Sequence, residues 1–393
     1  MLSQSIKEVI ANSSAIRAMF EEGRRMAQIH GADRVYDFSL GNPNVAPPEE
    51  VRRAILEIAG NEDPVFLHGY MVNAGYPDSR KAIAESINRR FGVDFDENSI
   101  IMTVGAAGAM NVAFKTLLDP GDEVVVFAPF FGEYRWYVRN FGGELVIVPN
   151  ASEDFQPDLA GLEKALSPRT KAVIINSPNN PSGAVYPAKT LEALGGILEG
   201  WRKKTGNTVY LISDEPYREI AYDGADVPYV TKFYANTFVA YSYSKALSLP
   251  GERIGYLAVP REMDGYGEIW PALATANRIL GFVNSPSLFQ RVAAVCADAA
   301  VDTAFYRENR DILYNSLTEM GYECFKPQGA FYLFPKSPLA DDVAFCEAAK
   351  KFRLLIVPGR SFGAPGYFRI SYCVKRETVL NSLESFAEAI KSV

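Results

Sequence analysis

Ser242-Tyr-Ser-Lys-Ala-Leu-Ser-Leu-Pro-Gly-Glu-Arg-Ile-Gly-Tyr256 sets one lysine, Lys245, just after an apolar run, Thr237-Phe-Val-Ala-Tyr241, and one arginine, Arg253, eight residues further on. The run is β-branched and aromatic, the composition of a buried strand. Serines and a glycine follow, so the chain turns there. A lysine held in a mostly dry pocket near other cations loses proton affinity and becomes an amine nucleophile, as covalent chemistry with an aldehyde requires. Ser242, Ser244 and Arg253 are donors suited to a phosphate. Ser-x-Ser-Lys is a weak motif, and in isolation a surface lysine after a strand explains it better. The rest of the chain has to decide.

Around this stretch, strand-like and helix-like segments alternate through some 160 residues with the regularity of an open parallel sheet. The apolar runs begin at Ile100, Glu123, Leu145, Ala172, Val209, Thr237 and Gly255, which predicts seven strands. They are apolar throughout instead of alternating, so both faces are expected to be covered by helices. Ligands then belong at the carboxyl ends of the strands. At those ends stand Gly105-Ala-Ala-Gly-Ala109, Pro129-Phe-Phe-Gly-Glu-Tyr134, Asn176-Ser-Pro-Asn-Asn-Pro-Ser-Gly183, Ser213-Asp-Glu-Pro-Tyr217 and Lys245. A small-residue turn opening a helix can offer free N–H groups to a phosphate. The aromatic turn can cover a site or simply pack in the core.

Before this region, a helix is expected over residues 15–27, and Tyr36-Asp-Phe-Ser-Leu-Gly-Asn-Pro-Asn44 reads as a short strand entering a turn at Gly41. A helix follows Pro47, then the loop His68-Gly-Tyr-Met-Val-Asn-Ala-Gly-Tyr-Pro77, then a helix over 79–91 capped by Asp78. Beyond Pro286 one long helical stretch to about Met320 precedes short strands near 330–334, 354–357 and 367–371, a second, α+β domain. The expected division is an N-terminal arm over 1–47 lying on the small domain, a large domain over 48–285 and a small domain over 286–393.

The 393 residues are 48% hydrophobic and 22% charged, an ordinary globular composition. The net charge of −7 argues against a nucleic-acid partner. No run of about 18 apolar residues predicts a membrane span, and Met1-Leu-Ser-Gln-Ser-Ile-Lys-Glu8 has no apolar signal core, so a cytoplasmic protein is expected. Cys296, Cys324, Cys346 and Cys373 form no C-x-x-C pair, and His30 and His68 are the only histidines, so neither a metal site nor a Ser-His-Asp hydrolase is suggested.

Taken together, Gly41-Asn-Pro43, Tyr70 with Gly75-Tyr-Pro77, Gly105–Ala109, Asn179-Asn-Pro-Ser-Gly183, Asp214-Glu-Pro-Tyr217, Ser242-x-Ser-Lys245 with Arg253, and Phe368-Arg-Ile-Ser371 resemble the class I/II aminotransferases of the fold-type-I pyridoxal-phosphate enzymes. These islands occur in the family's order across some 330 residues. The resemblance implies a seven-stranded, mostly parallel sheet sandwiched by helices, with a smaller α+β domain. It implies that Lys245 bonds to the aldehyde of pyridoxal 5′-phosphate and later moves the substrate's α-proton. Asp214 would pair with the pyridine nitrogen and keep it protonated, as electron withdrawal by the ring demands. Tyr217 and Asn180 would hydrogen-bond the 3′-oxygen, and Phe131 would stack on the ring. Gly105, Arg253, Ser242, Ser244 and the backbone of Ala106 and Ala107 would hold the phosphate, with Tyr70 reaching in from a partner subunit of a homodimer. Arg369, helped by Gly41 and Asn180, would grip the substrate α-carboxylate.

Three departures bear on substrate choice. Ala106 and Ala107 carry no polar group where many relatives have one, Phe131 stands where Tyr or Trp is usual, and Arg278 is out of register with the arginine some dicarboxylate-specific relatives present. The implied reaction moves an amino group from an L-amino acid to a 2-oxo acid, with 2-oxoglutarate the expected acceptor, by a ping-pong mechanism of aspartate or broad specificity. The alternatives are a β-eliminating carbon–sulfur lyase and, more remotely, an aminotransferase-like ligand-sensing regulator.

Overall fold

The computed structural model describes residues 2–11 and 15–393. The N-terminal segment holds helices Gln4–Ala11 and Ala15–His30 and a short strand, β1 (Tyr36–Asp37). Met1 and residues 12–14 of the expected arm lie outside the described residues.

The seven apolar runs form one sheet: β2 (Ile100–Thr103), β3 (Glu123–Phe127), β4 (Glu144–Val148), β5 (Thr170–Asn176), β6 (Tyr210–Asp214), β7 (Thr237–Ser242) and β8 (Gly255–Ala258), in the order β2-β8-β7-β6-β5-β3-β4. β8 runs antiparallel to both neighbours and every other pairing is parallel. Successive side chains leave opposite faces of a strand. Val124 and Val126 accordingly enter one hydrophobic cluster with helices Gly105–Leu117 and Tyr266–Ile279, while Val125 and Phe127 enter another with helix Ala188–Thr205. With both faces covered, no strand position on the interior of the sheet can be polar without a partner, and continuous apolar runs result.

The antiparallel β8 matters for the site. A parallel strand would carry Arg253, which precedes it, to the far edge of the sheet. Reversed, β8 starts beside the carboxyl ends of its neighbours, with Gly255 opposite Ser242 of β7 and Thr103 of β2. Gly255 is also a packing requirement, since a Cβ there would lie against Tyr241 O and 2.9 Å from Gly105 Cα.

The small domain is built on β9 (Tyr332–Leu333), β10 (Leu354–Leu355), β11 (Val357–Pro358) and β12 (Phe368–Ser371), with an antiparallel order β11-β12-β9. β1 pairs in parallel with β10, Tyr36 opposite Leu354, and Met19, Met26 and Phe38 enter the small domain's core with Leu313, Phe345 and Phe386. The N-terminal segment therefore lies on this domain.

Two local expectations need correction. The stretch after Pro286 is two helices, Ser287–Val295 and Ala304–Glu319, and the first packs on the large domain, where Val292, Ala293 and Cys296 share a core with Val51, Ala54, Ile83 and Ile87. Its apolar face chose the nearest uncovered helices instead of the small sheet. The helix expected to be capped by Asp78 starts at Pro77, with Tyr76 in the N-cap position and Asp78 in the first turn. Proline fits the first turn because its missing N–H would have no partner there. Among the described residues no helix is long and apolar enough to cross a membrane.

Candidate active site

A cavity of about 350 Å³ lies at the carboxyl ends of the strands, closed on one side by the small domain. It brings together Gly41, Ala106, Ala107, Phe131, Asn180, Asp214, Tyr217, Ser242, Ser244, Lys245, Arg253 and Arg369, which come from segments more than 300 residues apart in sequence. Gly105 lies just behind them. It has φ of +77°, and a Cβ on it would meet Arg253 Nη2 at 2.8 Å, so only glycine lets the guanidinium pass.

At one end of the cavity Ser242 caps the short helix Tyr243–Ala246, its Oγ accepting from Ser244 N at 3.2 Å and donating to Ser244 Oγ at 2.7 Å. Arg253 donates to Pro250 O at 2.8 Å and Val104 O at 3.2 Å, which fixes its guanidinium beside the start of helix Gly105–Leu117. Two hydroxyls, a guanidinium and a helix N-terminus converge here, a donor set for a dianionic phosphate.

Lys245, half-buried on that short helix, donates to Gly41 O at 2.7 Å and sits 5.4 Å above the Phe331 ring. Burial, seconded by the Arg253 and Arg369 cations, draws its pKa down from 10.5 to about 8. The amine is thus neutral in a useful fraction near neutral pH.

Asp214 ends β6 and is buried. Its Oδ2 accepts from the Tyr134 hydroxyl at 2.5 Å and its Oδ1 has no partner. Burial raises its pKa to about 7 despite the Tyr134 hydrogen bond, and Glu215 adds to the rise. A buried carboxylate oxygen without a donor is a costly group that a protonated nitrogen would satisfy.

At the other end Arg369 of β12 is 2% exposed. Its Nη1 donates to Asn180 Oδ1 at 3.0 Å and its Nη2 to Ser39 O at 2.6 Å, while Nε is buried without a partner. Asn180 is itself set by its backbone N–H on Asn176 Oδ1 at 2.7 Å. Tyr217 Oη lies 2.7 Å from Tyr332 Oη. Phe131, half-buried, meets Tyr134 edge to face with ring centroids 5.6 Å apart.

Two residues named from the sequence are elsewhere. Tyr70 is 94% exposed and does not reach this chain's cavity. Arg278 is exposed on helix Tyr266–Ile279, away from the cavity. Conversely, Tyr134, Tyr332 and Asn176 went unnoticed as site residues. Tyr134 lies three residues after Phe131, the one local hint, whereas nothing in Ala330-Phe-Tyr-Leu-Phe334 distinguishes Tyr332 from a core aromatic.

A sheet of this order, with a lysine, a buried carboxylate and a cluster of phosphate-suited donors at its carboxyl edge, is the architecture of the fold-type-I transferases. The family model for aminotransferases of class I and II matches residues 33–386. The probable aspartate/prephenate aminotransferase of Thermus aquaticus is 34% identical, with 99% of each chain covered. An amino transferase from Eubacterium rectale superposes with a TM-score of 0.97 at 47% identity over 100% of this chain and 99% of the other. The Thermus thermophilus aspartate aminotransferase with maleate gives 0.87 at 30% identity, with 99% of each covered. This chain belongs to the class I and II aminotransferase family. It is a pyridoxal-phosphate-dependent enzyme that acts on amino acids and keto acids.

Proposed function

We propose that the enzyme transfers the amino group of an L-amino acid to 2-oxoglutarate by a ping-pong mechanism, with Lys245, Asp214 and Tyr217 as its catalytic residues. The observation that carries the assignment of roles is the unpartnered Oδ1 of buried Asp214, in the same cavity as a lysine whose pKa is drawn down to about 8. The residues fit pyridoxal phosphate. The free carboxylate oxygen suits the protonated ring nitrogen, and Ser242, Ser244, Arg253 and the amides following Gly105 suit the phosphate. Phe131 suits the ring face, and Tyr217 and Asn180 suit the 3′-oxygen.

When bound, the cofactor supplies an aldehyde that joins nitrogen and a ring that withdraws electrons. Lys245, whose amine is partly neutral near neutral pH, would hold the cofactor through that aldehyde and, when freed by a bound substrate, would serve as the base for the proton on the substrate's Cα. Asp214 would stay ionised beside a cationic ring nitrogen and would hold that nitrogen's proton in place. Arg369 turns toward the incoming α-carboxylate, to which a planar guanidinium can give two parallel hydrogen bonds. Gly41, whose missing side chain leaves room for the Tyr332 hydroxyl, would join that grip through its backbone and, through its carbonyl, positions Lys245 Nζ.

The protein is proposed to be a homodimer in which Tyr70, exposed on one chain, completes the phosphate site of its partner. A dimer would also cover Phe66 and Val72, which flank Tyr70 in sequence and are exposed at 58% and 57%. The arm and two-domain division is retained with the large domain extended through helix Ser287–Val295. A cytoplasmic location accords with the lack of a spanning helix among the described residues. As for substrate, aspartate and its keto acid partners come from the names of the relatives, and the neutral Ala106 and Ala107 favour broad over strictly dicarboxylate specificity.

The test is the absorption spectrum of the purified holoenzyme as L-amino acids are added singly without oxo acid. Loss of the bound-cofactor band, reversed by 2-oxoglutarate, is expected, and Lys245→Ala should abolish both the band and its response. Pyruvate accumulating from sulfur amino acids with the band intact would make the enzyme a lyase instead.

A further inference from the structure

Tyr332 stands where the two ends of the cavity meet. Its hydroxyl lies 2.7 Å from Tyr217 Oη, and its ring carries the Arg369 guanidinium, with Cζ 4.6 Å from the centroid. The two tyrosines and the arginine are buried. β9 sets Tyr332 opposite Ser371, on the strand paired with the one that holds Arg369. The loop at Gly41 closes over the phenol so tightly that a Cβ there would overlap the Tyr332 hydroxyl.

A phenol has one proton to give. If Tyr217 donates to Tyr332, it has none left for a bound molecule; if Tyr332 donates, the Tyr217 proton is free. Burial raises both pKa values, Tyr217 well above 10 and Tyr332 to about 12, so both remain phenols at working pH. Accepting a hydrogen bond also polarises a hydroxyl into a stronger donor. Resting on the roles given above to Tyr217 and Arg369, we propose that Tyr332 is a positioning residue of amino transfer: its hydroxyl turns the Tyr217 proton toward the cofactor's 3′-oxygen, and its ring seats the Arg369 guanidinium for the substrate carboxylate. The two arms use different parts of one side chain, so they can be removed separately.

The first arm is tested by titrating the bound-cofactor absorption band against pH in the wild-type holoenzyme, Tyr332→Phe, Tyr217→Phe and the double variant. Without Tyr332 the Tyr217 proton still reaches the 3′-oxygen but is no longer polarised by an accepted hydrogen bond. This weaker donation leaves the neighbouring nitrogen more basic, so Tyr332→Phe should raise the midpoint by roughly 0.2–0.5 pH unit, a fraction of one hydrogen bond. In the Tyr217→Phe background it should add nothing. Equal shifts in both backgrounds, or none in either, overturn the hydroxyl's role. The second arm is read by calorimetry of propionate, a carboxylate with no amine to react. Tyr332→Phe should bind it as the wild type does, and Tyr332→Leu roughly 5–10-fold more weakly, because the cation loses one of its two aromatic neighbours and keeps the Phe362 ring at 4.8 Å. Unweakened binding to the leucine variant overturns the ring's role, and if that variant does not fold, the phenylalanine cycle still decides the first arm. A wild-type protein with no cofactor band would break the parent reading and this one with it.

Discussion

Asp214 and Glu215 are adjacent, both buried, and opposite in what surrounds them. Glu215 accepts from Ser213 Oγ at 2.7 Å and from Arg218 Nε at 2.6 Å, and Arg218 is closed in turn by Val227 O at 2.7 Å, Pro228 O at 3.1 Å and the faces of Phe91 and Tyr229. Asp214 has Tyr134 on one oxygen and nothing on the other. Successive residues at a strand end face opposite sides, so one carboxylate points into the core and the other into the cavity. The same contrast separates two buried arginines. Arg310 is engaged by Asp223, Asp311 and Pro327 O, whereas Arg369 keeps an unpartnered Nε. Neither burial nor an unfilled hydrogen-bonding position marks function by itself, since Tyr229 Oη and Arg291 Nε are also buried without a partner; among the described residues the two features meet the active-site cavity at Asp214 and Arg369.

The contrast breaks if each pair responds alike to substitution. Asp214→Asn keeps the shape and a partner for Tyr134 but cannot hold a cationic nitrogen, and kcat should fall on the order of 10³-fold with the fold intact. Glu215→Gln should instead lower stability by about 3–5 kcal/mol, because Arg218 is left as a buried unpaired charge, with little change in turnover per folded molecule. Denaturant unfolding beside steady-state kinetics separates the two, and a Glu215→Gln enzyme that is stable but inactive would refute the division. Next in size, Arg369→Lys should raise KM for the amino acid roughly 10–100-fold through loss of the paired guanidinium hydrogen bonds. Arg310→Lys should leave KM unchanged and lower the unfolding temperature.

Which of these groups the sequence betrays follows from how local their partners are. The seven strands were legible because burial on both faces writes itself into consecutive apolar residues, and Lys245, Asp214 and Arg253 were legible because each follows or precedes such a run within a few residues. That β8 is the reversed strand was not legible, since an apolar run reads the same in either direction. Tyr134 and Tyr332 were missed because their contacts with Asp214 and Tyr217 span 80 and 115 residues. Helix Ser287–Val295 was misassigned because Pro286 looks like a boundary, while the surface that receives the helix, around Val51 and Ile83, is more than 200 residues away. Tyr70 shows the remaining limit: its motif is visible, yet one chain gives it no neighbour in the cavity.

The subtlest consequence of the unfilled positions is a pH dependence of the cofactor-free protein. Asp214, at about 7 in the fold against 3.8 in the unfolded chain, binds a proton in the folded state that the unfolded state has released, so stability falls as pH rises from about 4 to about 7 and is flat in this group above that. Lys245 acts the other way. At about 8 against 10.5, its unfolded form holds the extra proton between those values, so stability rises as pH rises from about 8 to about 10.5. The two together put a minimum between roughly pH 7 and 8, where one carboxylate is charged with one of its oxygens unpartnered and one amine is still partly cationic. Because the cavity admits water, each effect should be on the order of 1–2 kcal/mol, less than the full shifts would give. Asp214→Asn should remove the acid limb of this minimum and Lys245→Met the alkaline limb, both read from urea unfolding midpoints across pH. Pyridoxal phosphate should raise stability most at the minimum, where its ring nitrogen would meet the unpartnered Oδ1 of Asp214 and its phosphate would meet Ser242, Ser244 and Arg253. Unfolding midpoints that follow the same pH curve in wild type and both variants would mean that Asp214 and Lys245 are not held in the strained state their burial implies, and the contrast with Glu215 would lose its physical basis.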